Sequence, residues 1–235
     1  MSVALVTGGS AGLGRALVSA LADRGWRVIT DARDAARLAE VDHPAVRAVP
    51  GDVADPDHRG DLLAAVAAEG RLDLLVHNAS TLGPTPLPEL GAVTEEDLAR
   101  VIATNVWAPV ALTQRLLLWL EATGGILASI SSDVAVEQEP GWGAYGLSKA
   151  ALDHATAQFG AEHPGIAAYA VDPGDMRTAM HQAAFPGEDI SDRPLPESVV
   201  PQLLALFDRR PPSGRHRAAD WAAAAPGTPG EAVVR

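Results

Sequence analysis

The chain of 235 residues contains no cysteine. That excludes disulfides, thiolate zinc sites and cysteine nucleophiles together. Aromatic residues are scarce at 4%, so alanine, valine and leucine must fill the core. Basic residues are outnumbered, 18 Lys and Arg against 30 Asp and Glu, which leaves a net charge of -12. Such a balance argues against a nucleic-acid partner, because binding the phosphate backbone needs a basic face. A phosphate-bearing small molecule is still allowed, since backbone N–H groups at a helix N-terminus hold phosphate locally. Long apolar runs are missing as well. Val106 to Leu120, the most apolar later stretch, is broken by Gln114 and Arg115 and is too short to cross a bilayer. The start, MSVALVTGG, has no basic segment before its apolar run and enters a glycine turn at once. It reads as a strand rather than a signal peptide. His77, His154, His163 and His181 share no spacing suited to a metal, so no metal site is expected. A soluble, cytoplasmic protein with no membrane partner is the expectation.

What is present is an ordinary globular balance, 47% hydrophobic and 20% charged, with length for one large domain or two small ones. Val3 to Val6 is a short apolar run of the kind a buried parallel strand shows. Gly8-Gly9-Ser10-Ala11-Gly12-Leu13-Gly14 follows it, then a helical spacing of Leu17, Ala20 and Leu21, then a second strand over Arg27 to Thr30. Strand, glycine loop, helix and strand in this order form the first unit of a dinucleotide-binding fold. Further strands are expected at Val46–Val49, Leu72–His77, Gly125–Ser131 and Ile166–Val171, with a last edge strand at Arg215–Ala219. Helices lie between them: Asp57–Ala68, a long one from Thr94 to Ala122 that kinks or breaks near Pro109, one carrying Tyr145, and Glu197–Asp208. Thr94 followed by Asp97 is a capping-box arrangement, so the acidic Glu95, Glu96 and Asp97 complement a helix N-terminus. The alternation implies an α/β fold, a doubly wound parallel sheet in three α/β/α layers. One domain is expected over residues 1–220, with a covering loop at about 176–196 and a frayed tail over 221–235.

The chemistry centres on AYGLSKAA, Ala144 to Ala151. Tyr145 and Lys149, four residues apart, share one face of a helix. An ammonium about 4 Å from a phenol, at a dielectric near 20, is worth roughly 4 kcal/mol, or about three pKa units. That would make the phenol a usable proton donor or acceptor at neutral pH.

Together with the glycine loop and an upstream serine, this pair makes the chain resemble the short-chain dehydrogenase/reductase family in its single-domain branch. The resemblance runs from Val3 to Met180. TGGSAGLG matches the family's T-G-x-x-x-G-x-G through Gly8, Gly12 and Gly14, and implies that Ser10 and Leu13 of the same loop also meet the cofactor. Asp52-Val53 matches the pair that contacts adenine, and Asn78-Ala79 opens the family's N-A-G, with Ser80 in place of its glycine. Asn105, Ser132, Tyr145 and Lys149 match the catalytic four, and DPGDMRT matches the segment that cradles the nicotinamide, giving Pro173, Gly174, Met176 and Thr178.

The resemblance implies that Tyr145 protonates the oxygen produced by hydride transfer and that Ser132 stabilises its developing charge. It further implies that Lys149 lowers the tyrosine pKa and holds the nicotinamide ribose, and that Asn105 anchors a proton relay through a local helix break. Family spacing gives the serine role to Ser132 and leaves Ser131 a strand-end one. A homodimer or homotetramer through the Asn105 and Tyr145 helices is implied too. In GWRVITDARD, Ala32 stands where an NAD-preferring enzyme has an acid and Arg33 where an NADP-preferring one has arginine. NADP(H) is therefore favoured over NAD(H), although Asp31 and Asp34 flank the arginine and nearly cancel it unless they point away. Strand 2 is expected to have ended before Asp31.

The expected activity is that of an oxidoreductase acting on a small carbonyl or alcohol substrate. A cofactor-binding sensor on the same fold, and a dehydratase or epimerase using the same four residues, stay open as alternatives. Trp142 is either a wall of the substrate cavity or plain loop packing. His181 falls in the covering loop, within possible reach of substrate.

Overall fold

The structure, a computed structural model, describes residues 1–221. Its centre is a seven-stranded sheet, parallel at every pairing. The strands are β1 (Val3–Val6), β2 (Arg27–Ala32), β3 (Val46–Pro50), β4 (Leu74–His77), β5 (Ile126–Ile130), β6 (Ala167–Asp172) and β7 (Gly214–Arg217). Their spatial order is β3-β2-β1-β4-β5-β6-β7, so the winding reverses between β1 and β4. In open α/β sheets, ligands bind beyond the carboxyl ends of the strands at such a reversal.

Side chains alternate across each strand, and two cores result. Ala4, Val6, Leu74 and Val76 point to one face, where they meet Leu17, Val18 and Leu21 of α1 (Gly12–Asp23) and Leu203 and Leu206 of α8 (Pro196–Arg209). Val3, Leu5 and Leu75 point to the other. There they pack on Leu62 and Val66 of α3 (Pro56–Glu69) and on Leu112, Leu116 and Leu120 of α5 (Ala108–Thr123). Helices α2 (Ala35–Ala39), α4 (Glu95–Ile102), α6 (Gly143–Glu162) and α7 (Ala179–Ala184) complete the α/β/α layers.

The expected Rossmann-type single domain is what forms. Thr94 caps α4 by accepting the Asp97 N–H at 3.1 Å. The break expected near Pro109 is a π-helical turn, Ala103–Trp107, which carries Asn105 between α4 and α5. From Glu95 to Thr123 the helical path runs 29 residues, long and apolar enough by length and composition to span a bilayer. Its apolar face is spent on the sheet instead, through the three α5 leucines. The edge strand β7 begins one residue earlier than expected and pairs with β6. Apart from Trp221, in a closing 3-10 turn, the expected tail over 221–235 lies outside the described residues.

Strand β2 departs from expectation. It runs on through Asp31 and Ala32, because β3 offers it partners as far as Pro50. The added length turns the Asp31 side chain into the protein, where it is 1% exposed.

Candidate active site

A cavity of about 770 Å³ opens along the carboxyl ends of the strands. One end is made of backbone. Gly8 has φ +74° and Gly12 φ +52°, conformations that favour glycine. A Cβ on Gly14 would stand 2.3 Å from the Gly8 carbonyl oxygen, so α1 packs against the turn only because that atom is missing. Residue Ala11 precedes α1 without a side-chain cap, and no acidic residue occupies the first turn. The N–H groups of that turn are left for something anionic in the cavity, which Gly8, Ser10, Gly12 and Leu13 line.

The turn is braced from two sides. Asn78 Nδ2 donates to the carbonyls of Thr7 (2.8 Å) and Gly8 (3.1 Å), and Thr7 Oγ1 accepts the N–H groups of Asn78 and Ala79, each at 3.1 Å. Asn78 thus lines the cavity while its side chain is committed to the loop. From the other side, Asp31 Oδ1 accepts the Gly8 N–H at 2.9 Å, and Asp31 Oδ2 meets His58 Nε2 at 2.9 Å. His58 is buried too, over Gly51, where a Cβ would come within 2.1 Å of its ring. Sequence reasoning missed His58 and its neighbour Arg59, which is buried and donates to the Val53 carbonyl at 2.7 Å. Neither belongs to a recognisable motif, and nothing in the local residue pattern of α3 marked them as buried.

Around the same end stand Ala32, Arg33, Asp34, Arg37, Asp52 and Val53. Asp34 caps α2 by accepting the N–H groups of Ala36 and Arg37, each at 3.1 Å, and pairs with Arg37 Nε at 3.7 Å. Among the described residues, Arg33 has no hydrogen-bond or ion-pair partner. The two aspartates that could have cancelled it are engaged elsewhere.

At the other end of the cavity lie Ser131, Ser132, Tyr145 and Lys149, with Pro173, Gly174, Met176 and Thr178 beyond β6. Asn105 stands just outside the lining, fully buried. Its Oδ1 accepts the Thr81 N–H (2.8 Å) and the Ser80 hydroxyl (3.2 Å), and its Nδ2 donates to the Thr81 carbonyl (2.8 Å) and Ser148 Oγ (3.0 Å). Ser132 Oγ donates to Asp133 Oδ1 at 2.8 Å, so presenting that hydroxyl to a substrate needs a rotamer change. The Ser132 carbonyl is held by Arg215 Nη2 of β7 at 2.9 Å, and Arg215 Nε reaches Asp153 Oδ2 at 3.1 Å.

The phenol and the ammonium are arranged differently from the simple expectation. Lys149 Nζ donates to the Ile130 carbonyl at 2.7 Å and lies 5.4 Å from the centre of the Tyr145 ring, over its face. Burial lowers the Lys149 pKa to about 8, against a raising influence from the Asp153 carboxylate. Burial raises the Tyr145 pKa above its ordinary value, a hydrogen bond with Ser80 lowers it, and the charges of Asp133 and Asp172 raise it further. Lys149 makes no resolved contribution. The expected depression is overturned here because the phenol is buried and the ammonium is spent on a strand carbonyl.

Over this end sits α7, capped by Thr178, whose Oγ1 accepts the His181 N–H at 3.1 Å. Met180, His181 and Phe185 line the cavity with Leu82, Val134 and Trp142. Trp142 stands edge-on to Tyr145 with centroids 5.8 Å apart and is 5.8 Å from Phe185. It is therefore both cavity wall and packing.

A parallel sheet reversing beside a glycine turn, with a buried phenol and ammonium along one cavity, defines a dinucleotide-dependent oxidoreductase scaffold. Comparison with known proteins places the chain more narrowly. The family described as short chain dehydrogenase matches residues 2–189. Oxidoreductase YciK of Escherichia coli K12 is 32% identical over 218 residues, 87% of this chain and 85% of that protein. Short chain dehydrogenase penD of Penicillium thymicola is 35% identical over 166 residues, but these span only 60% of penD and 65% of this chain. A short-chain dehydrogenase of Shigella flexneri 2a, solved in complex with NADP, superposes with a TM-score of 0.85 at 28% identity, over 93% of this chain and 97% of that one. The chain belongs to the short-chain dehydrogenase family of oxidoreductases.

Proposed function

We propose that this protein is an NADPH-dependent reductase of small to medium carbonyl compounds, with Tyr145 as the proton donor. The observation that carries the reading is one cavity with an uncapped helix N-terminus and an Arg33 unpartnered among the described residues at one end and a buried, protonated phenol at the other. The cradle fits the cofactor: Gly8, Ser10, Gly12 and Leu13 would hold its pyrophosphate, Arg33 its 2′-phosphate, and Asp52 and Val53 its adenine. Ala79, Pro173, Gly174, Met176 and Thr178 would enclose its nicotinamide end. When bound, the nicotinamide supplies the hydride.

The side chains around it manage the proton. Reduction of a carbonyl leaves negative charge on oxygen, and an alkoxide is a far stronger base than a phenolate. A phenol whose pKa is raised is fully protonated at neutral pH, the state a proton donor must start in. Ser132, turned from Asp133, donates a hydrogen bond to the same oxygen. Lys149, mostly protonated below about pH 8, would draw the ribose into place. Asn105, locked by four hydrogen bonds, keeps the π-turn open beside Lys149's helix. Leu82, Val134, Trp142, Met180 and Phe185 give the substrate end an apolar wall, which suits an uncharged substrate.

The protein as proposed works in the cytoplasm as a homodimer or homotetramer. Trp107 and Leu118 leave large apolar side chains in solvent on the α5 side, at 54% and 75% exposure, and Leu147 does so on α6. Gel filtration checks this directly, since a monomer at all concentrations contradicts it. The activity is tested by NADPH oxidation across a panel of aliphatic and aromatic ketones and aldehydes. Firm NADPH binding with no turnover anywhere in the panel would favour a non-catalytic sensor instead.

A further inference from the structure

The brace behind the glycine turn ends on a histidine that no motif includes. His58 lies in the first turn of α3, after Asp55, whose side chain caps that helix by accepting the Asp57 N–H at 2.9 Å. The ring is buried, 4% exposed, and is not among the residues that line the cavity. It bears on the cavity only through Asp31, which does line it. His58 Nδ1 lies over Gly51 and has no hydrogen-bond partner among the described residues. The contact of Nε2 with Asp31 Oδ2 needs a hydrogen that a carboxylate cannot supply, so Nε2 carries it and donates. Asp31 Oδ1 is taken by the Gly8 N–H, so both carboxylate oxygens are committed within the protein. Arg59, next to His58, donates to the Val53 carbonyl and ties the start of α3 to the loop of Asp52 and Val53. The histidine is anchored, and the carboxylate is held to it.

We propose that His58 is a positioning residue for cofactor choice: it holds the Asp31 carboxylate at the foot of the glycine turn and so keeps it from the adenosine ribose beside Arg33. The inference rests on the reading of this cavity as a nicotinamide-dinucleotide site with Arg33 at the 2′-phosphate. Losing the histidine acts differently on the two cofactors. Without Nε2–H, one oxygen of a buried carboxylate lacks a donor, on a residue that lines the adenosine end of the cavity. The ribose 2′-hydroxyl of NADH supplies such a donor. The 2′-phosphate of NADPH brings only like charge. Loss of His58 therefore favours NADH over NADPH, whereas loss of a packing contact alone weakens both equally.

The test is a parallel titration with NADPH and NADH, followed by nicotinamide fluorescence, that reads the ratio of the two dissociation constants. His58→Leu removes the donor, and the ratio is expected to move toward NADH by about tenfold, the worth of one hydrogen bond to a charged group. His58→Gln, which offers an amide N–H in place of Nε2–H, should hold the ratio within about threefold of native. Adding Asp31→Asn to His58→Leu should bring the ratio back, because no charge is left to meet the phosphate. Asp31→Asn alone, with His58 in place, should change the ratio by no more than about threefold, since the charge is already kept away. An unchanged ratio in His58→Leu overturns the proposal, as does a rise of about tenfold or more in NADPH preference in Asp31→Asn alone. If His58→Leu does not fold, the Asp31→Asn titration decides by the second criterion. A native preference for NADH overturns the NADPH reading alone, because the shifts in ratio are taken against the native value whatever it is. Binding of neither cofactor overturns both.

Discussion

Replacing Arg33 by alanine should change which cofactor the protein prefers. A guanidinium bonded to a phosphate contributes about 1.5–3 kcal/mol, a factor of roughly ten to a hundred in affinity. The flanking carboxylates would offset that gain if they were free to face the phosphate, and the structure engages both in other bonds. Asp31 is buried against the Gly8 N–H and His58, and Asp34 is occupied as the α2 cap. Arg33 should therefore deliver most of its value. The assay is a parallel titration of native and Arg33→Ala protein with NADPH and NADH, followed by nicotinamide fluorescence. Native protein is expected to bind NADPH at least about tenfold more tightly, and Arg33→Ala to lose that margin while keeping its NADH affinity. Because Arg33 is exposed, the native preference should also shrink as salt is raised. Equal weakening of both cofactors in Arg33→Ala would refute the assignment, since only one of them carries the 2′-phosphate.

Three further outcomes follow from particular contacts. His77 is buried against Thr113 and its pKa is lowered by burial to about 3 from 6.5, so the unfolded chain binds more protons between those values. Stability should fall as pH drops through that window, by at most about 5 kcal/mol, and chemical denaturation of His77→Gln against pH should show a flatter curve. Gly14→Ala should cost about 1–3 kcal/mol in a denaturation midpoint and weaken cofactor binding more than tenfold, because its Cβ collides with the Gly8 carbonyl. Arg215→Ala frees the Ser132 carbonyl, and steady-state kinetics should show kcat reduced about tenfold with cofactor affinity little changed.

Much of this was legible in the sequence because backbone chemistry writes itself locally. Gly8, Gly12 and Gly14 announce a turn between strand and helix, and the apolar strands announce a sheet covered on both faces. The spacing of Tyr145 and Lys149 places them on one helix face. What the spacing could not convey is burial and direction. Asp31 was expected beyond the end of its strand, but pairing with β3 carries the strand past it and turns the carboxylate inward. Lys149 was expected to act on the phenol oxygen, but its ammonium is held by the Ile130 carbonyl, an atom at the end of the preceding strand β5. Arg215, on the last strand, reaches Ser132 across the sheet edge by a long-range contact. Ser80 stood out only as a mismatch, and its partner Asn105 comes from the π-turn between α4 and α5.

The central claim is that Tyr145 supplies the proton in carbonyl reduction. The most direct measurement is the rate of NADPH oxidation in Tyr145→Phe, with the best substrate of the panel, alongside its NADPH affinity. Phenylalanine keeps the ring that packs on Trp142 and removes only the hydroxyl. The account predicts a fall of about 10²–10⁴ in kcat with NADPH affinity within a few-fold of native. Turnover near the native rate in Tyr145→Phe would contradict it.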